Sequence, residues 1–577
     1  MVKRKLDLIY FTLKKEFGSS PFTLEELKRR NIFGYDEKSL SVILNRLRKE
    51  GLVKIEKDEK DLRKSVYKLA SLETLNVTNR DDLIALLKRA ADLVRGKVDY
   101  EVLLILLFYK AFSDLWKEEY KKTVEELIKE GWKRDEAEEE AKHKEFYTIY
   151  IPDPEKNLWE NVIKAQENLT ERIRDSIRAL GDANPSISDA VERFLRYLDD
   201  LIGKSDIDLI IRQVVDIFNE IKFCPIEGDV LGDAYEWLIN YFAPQKAKAG
   251  ELFTPREIVK VLTEILEPGI ERRKILDPAA GSGGMLIYSY KFVKEKIGED
   301  VAKELILVGQ ESKDINYAIL KLNFLLHGIG FGKNVKLYFE DSLLRPMFKE
   351  QAPFDIVIFN PPWNQDGYGE ETLKKSEVKQ IFSPTYSPNN SADWAWIKLA
   401  LYFTSENGKV GIVIDNGCLF RGGKERAIRQ EIIEKDLVEC VILLPEKLFY
   451  NTGAPGAIII FNKNKPSERK GKILFINASN EYEQHPEVRK LNRLGEAHIK
   501  KIVDTYRAFK DSDGFSRVVS LEEIKENDYN LNVTLYVFPQ EEIEAINVKK
   551  EWEELKKVEE EIEKTERKIK VYINELY

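Results

Sequence analysis

The apolar positions divide the chain into regions with different periodicities. Up to about residue 245, apolar side chains recur every three or four positions, which predicts amphipathic helices. From about residue 250 to 465, short apolar runs alternate with helix-length segments, which predicts a parallel α/β sheet. From residue 548, apolar residues return in steps of three and four along one helix. The expected fold is α/β, with helical and smaller parts around it.

These changes of pattern predict four parts. We expect a winged helix-turn-helix-like domain at residues 1–75, a helical domain at 78–245, an α/β domain at 246–537 and a C-terminal amphipathic helix at 538–577. Within the helical domain, the run 102–112 is apolar on all sides, which predicts a helix buried in a bundle. Residues 117–144 carry dense charges of both signs and predict a solvated helix.

The first 75 residues combine three predicted helices with a hairpin. Thr23 and Glu26 have capping-box spacing at the start of the second helix, and Ser39 to Lys49 form the third. The segments 51–55 and 65–69 predict two strands around a charged turn. The third helix carries Asn45, Arg46, Arg48 and Lys49. These side chains suit phosphates or bases, but the same fold also docks proteins, and the pattern leaves both uses open.

A glycine-rich turn follows the first predicted strand of the α/β domain. Ile275 and Leu276 end that strand, Asp277 follows, three glycines fall within positions 281–284, and a helix opens at Met285. A strand, a glycine turn and a helix form the first half of many nucleotide-cofactor sites. The spacing is neither that of a dinucleotide fingerprint nor that of a phosphate-binding P-loop.

A second buried strand, residues 354–359, ends in Asn360-Pro-Pro-Trp363. The two prolines cannot continue a strand ladder, so they hold Asn360 and Trp363 at the strand's carboxyl end. Ligands of doubly wound sheets bind at these ends. An amide beside a large aromatic face suits a planar substrate that carries an amino group.

Acidic residues end two further predicted strands. The strand 305–311 ends in Glu311, whose carboxylate can accept both hydroxyls of a ribose. The strand 335–339 is followed by Asp341, which can accept an adenine amino proton. Upstream, Thr254 is placed to cap a helix that begins at Pro255. Residues 364–392 are polar and rich in glycine, proline and asparagine, which predicts a long flexible loop beside the site.

The composition is that of a globular protein of several domains. Of its 577 residues, 43% are hydrophobic and 33% are charged. We find no membrane-spanning run and no signal peptide, and the three cysteines and four histidines lack metal spacing. We therefore expect a cytoplasmic protein without a zinc site. The net charge of −9 disfavours a surface that is basic throughout but permits local basic patches.

The motifs resemble those of a known family. Asp277-Pro-Ala-Ala-Gly-Ser-Gly-Gly284, followed by Asn360-Pro-Pro-Trp363, looks like the S-adenosylmethionine and catalytic motifs of N6-adenine DNA methyltransferases. The flanking segments resemble the modification (M) subunit of type I restriction–modification systems, notably 90–96, 231–239, 417–423, 444–453 and 529–532. The resemblance covers about residues 80–577, and the first 75 residues depart from it.

The resemblance implies a Rossmann-like, S-adenosylmethionine-dependent methyltransferase domain and assigns its site. The implied catalytic residues are Asn360, Pro361, Pro362 and Trp363. The implied cofactor contacts are Glu251, Leu252, Phe253, Thr254, Pro255, Arg256, Asp277, Ala279, Gly281, Ser282, Gly283, Gly284, Glu311, Asp341 and Ser342. Phe253, Thr254 and Pro255 would lie over the methionine part. The implied reaction is methyl transfer to an adenine flipped out of double-stranded DNA.

The resemblance also implies partners. In the family, the C-terminal helix packs on the specificity (S) subunit, and the complex includes a second M subunit and a restriction (R) subunit. The apolar seam from Val548 to Leu576 has coiled-coil spacing, which self-association or folding back would also explain. Two other functions share parts of the pattern. A protein glutamine N5-methyltransferase has a similar Asn-Pro-Pro motif, and a non-catalytic DNA-binding scaffold with a relic cofactor fold would keep the domains.

Overall fold

The computed structural model describes residues 80–204, 206–220, 254–449, 452–486 and 490–538, together with parts of 13–69, 237–242 and 552–565. The chain forms two compact units: Met1–Ile412 with Phe449–Gly453, and Val413–Leu448 with Ala454–Tyr577. No helix among the described residues is long and apolar enough to span a membrane. The domain boundaries expected above remain predictions.

Two helices and a hairpin are described in the first 75 residues. They are α1 (Leu24–Arg30), α2 (Glu37–Lys49), β1 (Val53–Lys57) and β2 (Ser65–Leu69), and the two strands are antiparallel. The predicted capping box is confirmed, because Thr23 N donates to Glu26 Oε2 at 2.8 Å and Glu26 N donates to Thr23 Oγ1 at 3.1 Å. The first helix was predicted from the spacing of Leu6, Ile9, Tyr10 and Leu13. Leu13 is helical and buried, and the other three lie outside the described residues.

The helical region is built from eight helices among the described residues. They are α3 (Arg80–Val94), α4 (Glu101–Lys129), α5 (Arg134–Glu140), α6 (Pro154–Asn157), α7 (Trp159–Val162), α8 (Leu169–Ala183), α9 (Ser188–Asp199) and α10 (Ile207–Phe218). The buried run 102–112 in α4 is confirmed. The single solvated helix expected at 117–144 is wrong. Gly131, with a φ of 103°, separates α4 from α5 because a left-handed residue cannot continue a helix.

A parallel sheet forms the centre of the first unit. Its strands are β3 (Lys274–Asp277), β4 (Ile306–Glu311), β5 (Val335–Phe339), β6 (Phe354–Phe359) and β7 (Thr404–Asp415). Their order is β7-β6-β3-β4-β5, and every neighbouring pair is parallel. The connecting helices are α11 (Arg256–Leu266), α12 (Gly284–Lys296), α13 (Glu299–Lys303), α14 (Asp314–Leu326), α15 (Glu370–Leu373) and α16 (Asp393–Phe403). The predicted α/β fold is confirmed.

Helix α9 of the bundle packs on α14, the helix that follows β4. Asp189 accepts hydrogen bonds from Lys321 Nζ at 2.6 Å and from Tyr317 OH at 2.7 Å. The guanidinium of Arg193 lies over the rings of Tyr317 and Phe339, 4.9 and 4.3 Å from their centroids. The helical region therefore braces the helix whose preceding strand ends in Glu311.

The second unit holds a smaller mixed group of strands. They are β8 (Val438–Leu443), β9 (Gly456–Asn462), β10 (Lys472–Asn477), β11 (Glu483–Gln484), β12 (Asn492–Arg493) and β13 (Ser516–Ser520), with helices α17 (Gly423–Glu434), α18 (Glu496–Ala508) and α19 (Leu521–Glu526). The predicted antiparallel β8–β9 hairpin is confirmed. Its expected edge position is wrong, since β10 pairs parallel to β8 and β13 pairs antiparallel to β10.

The C-terminal seam is described in part. Trp552, Leu555, Val558 and Ile562 are helical and 49–58% exposed. Their spacing of three and four places them on one face. Whether this face forms a coiled coil stays a prediction.

Candidate active site

The turn after β3 is shaped by two glycines with left-handed backbone. Gly281 and Gly283 have φ values of 54° and 87°, and α12 begins at the next residue, Gly284. Asp277 at the end of β3 is 1% exposed, and its Oδ1 accepts the amide of Ala279 at 3.0 Å. A Cβ on Gly283 would stand 2.6 Å from Leu320 Cδ1, so this glycine is required for close packing against α14.

Glu311 ends β4 and is tied to this turn. Its Oε2 accepts the amide of Gly281 at 2.8 Å, and its Oε1 accepts the amide of Lys313 at 2.7 Å. Each carboxylate oxygen has a second lone pair, so both can still accept a hydroxyl. The backbone thus fixes the carboxylate in one orientation beside the glycine turn.

The two buried carboxyl groups are more basic than usual. Burial raises the pKa of Asp277 well above its usual range, and the nearby charge of Glu311 raises it further. Burial also raises the pKa of Glu311, although the amides of Lys313 and Gly281 oppose the change. A cationic ligand bound near these carboxyl groups would favour the charged forms of both.

Asp341 follows β5 and is held from two sides. Its Oδ1 accepts the amides of Leu343 and Leu344 at 2.9 and 3.1 Å, and its Oδ2 accepts the hydroxyl of Tyr368 at 2.6 Å. The neighbouring Ser342 hydroxyl donates to the carbonyl of Pro278 at 2.6 Å, which joins this loop to the glycine turn.

Asn360 after β6 is fixed by a chain of two side-chain hydrogen bonds. Its Nδ2 donates to Thr254 Oγ1 at 2.9 Å, and its Oδ1 accepts the indole N–H of Trp363 at 2.9 Å. The Trp363 ring packs edge-on against Phe449, with the centroids 4.7 Å apart. The amide is therefore oriented with its nitrogen toward Thr254 and its oxygen toward Trp363.

The predicted role of Thr254 as a helix cap is wrong. Helix α11 begins at Arg256 with Pro255 at the capping position, and no side chain caps it. The Thr254 hydroxyl is instead the acceptor for Asn360. The three expected contacts before it, Glu251, Leu252 and Phe253, lie outside the described residues.

Residues 364–392 are not the flexible loop that their composition predicts. They contain α15, and Leu373, Phe382 and other side chains are buried. Lys398 in α16 is buried and donates to the carbonyls of Phe382 and Thr385 at 3.2 and 3.1 Å. These bonds satisfy backbone groups that a mobile loop would leave to water. The segment thus forms a wall that presents Tyr368 to Asp341.

A cleft that is partly open to solvent joins the carboxyl ends of β3, β4, β5 and β6. Parallel strands end at one edge of the sheet, which brings these residues together. Eight of the predicted site residues line the cleft: Ala279, Gly281, Glu311, Asp341, Ser342, Asn360, Pro361 and Pro362. The lining does not include Thr254, Pro255, Arg256, Asp277, Ser282, Gly283, Gly284 or Trp363.

The cleft also has lining residues that the sequence interpretation missed: Pro278, Gln310, Ser312, Lys313, Asn316, Glu340, Gln365, Tyr368 and Trp396. Ser312 and Lys313 follow Glu311 directly, so their position at the strand end could have predicted that they line the cleft. Tyr368 and Gln365 lie in the segment mistaken for a flexible loop. Trp396 belongs to α16, and its indole N–H donates to Gln365 Oε1 at 3.1 Å.

Comparisons with known proteins agree with this architecture. The family model described as N-6 DNA Methylase matches residues 226–545, and the one described as HsdM N-terminal domain matches residues 83–218. The MjaVII methylase subunit of a type I restriction enzyme from Methanocaldococcus jannaschii is 46% identical over 97% of this chain and 94% of its own. This chain belongs to the methylase subunits of type I restriction enzymes.

Other members of the methylase-subunit family match along most of the chain. The MjaVIII methylase subunit of the same organism is 43% identical over 98% of this chain and 97% of its own. The solved structure of a type I restriction-modification methyltransferase subunit from Streptococcus thermophilus is 28% identical, with a TM-score of 0.67 over 80% of this chain and 100% of that one. The chain is therefore an adenine-N6 DNA methyltransferase, and the resemblance stated from its motifs is confirmed.

Proposed function

We propose that S-adenosylmethionine binds in the cleft between Glu311 and Asn360 and donates its methyl group to adenine. The cleft lies at the carboxyl ends of four parallel strands, which is where ligands of such sheets bind. Its lining carries the carboxylates of Glu311, Glu340 and Asp341, which suits a cationic sulfonium. When bound, this cofactor supplies an electrophilic methyl group.

Three strand ends would hold the parts of the cofactor. The carboxylate of Glu311, fixed by the amides of Gly281 and Lys313, would accept the two ribose hydroxyls. Asp341 would accept the adenine amino proton of the cofactor through Oδ2, which it shares with Tyr368. The left-handed turn at Gly281 lets the backbone approach the ligand closely.

The target adenine would occupy the Asn360 side of the cleft. The exocyclic amine of adenine is a weak nucleophile because its lone pair is delocalised into the ring. Asn360 Oδ1 and the Pro361 carbonyl would accept its two protons, which directs the lone pair toward the methyl group. The indole N–H of Trp363 uses one lone pair of Asn360 Oδ1 and leaves the other for this bond.

Positioning would supply most of the catalysis. A flipped base costs a few kcal/mol in lost stacking, and the ring of Trp363 would offset part of that cost by stacking on it. Holding the amine in line with the methyl group is worth up to about 7–11 kcal/mol. No strong base is required at Asn360, because methylation itself acidifies the amine. The fixed amide of Asn360 is the observation that carries this proposal.

The proposed partners extend the family assignment to the whole complex. The exposed stripe of Trp552, Leu555, Val558 and Ile562 would pack on an S subunit, which chooses the DNA sequence. A second M subunit and an R subunit would complete the assembly on double-stranded DNA. We expect the complex to act in the cytoplasm, where Cys418 and Cys440 would remain reduced; both are buried and neither forms a disulfide.

Replacing Asn360 tests the proposed chemistry. Asn360→Ala should bind S-adenosylmethionine with unchanged affinity in calorimetry, because Glu311 and the glycine turn remain. It should lose methyl transfer to DNA by more than about 100-fold. Asn334→Ala is the matched control, since Asn334 precedes β5 at the opposite end of the strands and its side chain donates to Lys303 O, away from the cleft. Methylation retained by Asn360→Ala would remove Asn360 from the reaction.

A further inference from the structure

The chain carries its positive charge unevenly. Residues 1–75 contain 18 Lys and Arg against 12 Asp and Glu, a net charge of +6. The whole chain has 92 Lys and Arg against 101 Asp and Glu, a net charge of −9. Residues 76–577 therefore carry a net charge of −15. A polyanion is attracted to the first part and repelled by the average charge of the rest.

Helix α2 presents a face that the small domain does not use for its core. Leu40, Leu44 and Leu47 are at most 3% exposed and pack inward. Asn45 and Arg48 are exposed on another side of the same helix. Arg46 and Lys49 belong to this helix too, but their side chains lie outside the described structure. Arginine contacts phosphates and guanine edges, and asparagine contacts phosphates and adenine edges.

Hydrogen bonds and aromatic stacking fix the structure of the small domain to which α2 belongs. The reciprocal bonds of Thr23 and Glu26 cap α1. Phe22 and Tyr67 exchange backbone hydrogen bonds of 2.9 and 2.7 Å, which adds a short bridge to the β1–β2 hairpin. Phe17 stacks on Phe22 with the ring centroids 4.4 Å apart. A helix fixed against a small hairpin in this way can lie along a groove without refolding.

We propose that helix α2 is part of a second DNA-binding site, in which Asn45 and Arg48 hold the sugar-phosphate backbone of duplex DNA outside the catalytic cleft. Charge complementarity identifies the ligand, because residues 1–75 carry a net charge of +6 and DNA is a polyanion, whereas the rest of the chain is strongly acidic. The proposal extends the proposed function, because a contact made by this chain would hold the duplex before the target base is flipped. A protein partner on the same face is the competing occupant.

Fluorescence anisotropy on the full-length chain tests this site. The probe is a labelled duplex of about 30 base pairs with arbitrary sequence, titrated without cofactor at several salt concentrations. Arg48→Glu should weaken DNA binding several-fold. It should also reduce, by about 1, the steepness with which the logarithm of the association constant falls against the logarithm of the salt concentration. Arg48→Lys keeps the charge and should restore most of the affinity.

A charge reversal elsewhere in the chain distinguishes loss of a local DNA contact from a general increase in repulsion between the protein and DNA. Lys510→Glu changes the charge equally at an exposed position of the second unit, and it should leave the salt slope unchanged. Equal weakening by Arg48→Glu and Lys510→Glu would overturn the proposal, as would unchanged DNA binding by Arg48→Glu. Unchanged DNA binding with impaired binding of another subunit would assign the face to a protein. Because no methyl transfer is measured, failure of the proposed chemistry would not affect this result.

Discussion

Asn360 and Thr254 are joined by a hydrogen bond of 2.9 Å, although 106 residues separate them in the chain. The bond runs from the amide Nδ2 to the hydroxyl Oγ1, so it fixes which end of the amide faces the remainder of the site. The oxygen is left on the side of Trp363, where the proposed substrate amine would lie. Thr254 is thus a positioning residue for Asn360.

Removing the Thr254 hydroxyl should slow methyl transfer. Thr254→Ala takes away one neutral hydrogen bond worth about 1 kcal/mol, so we expect kcat to fall about fivefold to tenfold. Thr254→Ser keeps the hydroxyl and should recover most of the rate. Single-turnover methylation of DNA at saturating cofactor measures this step. A Thr254→Ser variant as slow as Thr254→Ala would show that the hydroxyl does not act through Asn360.

Cofactor affinity should fall as the pH is lowered toward the titration of Glu311. Burial raises the pKa of this carboxyl above its ordinary value of 4.5. The group is charged above its pKa and accepts the ribose hydroxyls, and it is protonated below. Affinity should therefore be lost at a pH higher than an exposed glutamate would predict. Calorimetric titration with S-adenosylmethionine between pH 5 and about 8 measures this loss.

Glu311→Gln provides the comparison for that pH dependence. It should bind the cofactor more weakly at neutral pH and show a flatter dependence on pH, since the titrating group is gone. The exposed acid Glu350 serves as control, and Glu350→Gln should behave as the wild type. A Glu311→Gln variant with the wild-type pH profile would assign the dependence to another group.

Two neighbouring glycines of the turn after β3 should differ in how much their replacement lowers the stability of the fold. Gly283→Ala places a Cβ 2.6 Å from Leu320 and 2.8 Å from Phe324 at a φ of 87°, so it should destabilise the fold by about 1–3 kcal/mol. Gly284→Ala meets no atom within 4 Å and should be nearly neutral. Thermal unfolding of both variants measures the difference, and equal melting temperatures would contradict the packing role of Gly283.

The contact between α9 and α14 should stabilise the protein at neutral pH. Burial opposes ionisation of Asp189, but the hydrogen bonds from Lys321 and Tyr317 outweigh it and lower its pKa below 3.8. A lowered pKa contributes stability above 3.8 and loses it as the pH falls through the folded-state pKa. Asp189→Asn should therefore lower Tm by about 2–4 °C at pH 7.

Measuring Tm as a function of pH tests whether Asp189 stabilises the protein through its charge. The difference between Asp189→Asn and the wild type should disappear under strongly acidic conditions, where both side chains are neutral. Asp182→Asn, at an exposed position of the same bundle, should leave Tm unchanged. A difference that persists at low pH would mean that Asp189 acts through packing rather than charge.

The strand ends of the site were predictable from the chain alone. Asp277, Glu311 and Asn360 each follow a short apolar run, and glycine or proline marks the end of two of these runs. Parallel strands place such residues at one edge of the sheet, so local patterns were sufficient.

Contacts between distant residues were not predictable from local patterns. Nothing in the neighbourhood of Thr254 indicates a bond to Asn360, and its Thr-Pro sequence favours a helix cap instead. Tyr368 lies in a polar, proline-rich segment whose order depends on the tertiary bonds of Lys398. The strand β10 is apolar enough to be recognised, but its parallel pairing with β8 is not a local property.

The most direct test of the central claim is transfer of labelled methyl from S-adenosylmethionine to unmethylated genomic DNA. The full-length chain should be assayed with and without an S subunit, and the modified base identified by mass spectrometry. We predict N6-methyladenine, formed in the presence of the S subunit and lost in Asn360→Ala. A product other than N6-methyladenine, or no DNA methylation under either condition, would contradict it.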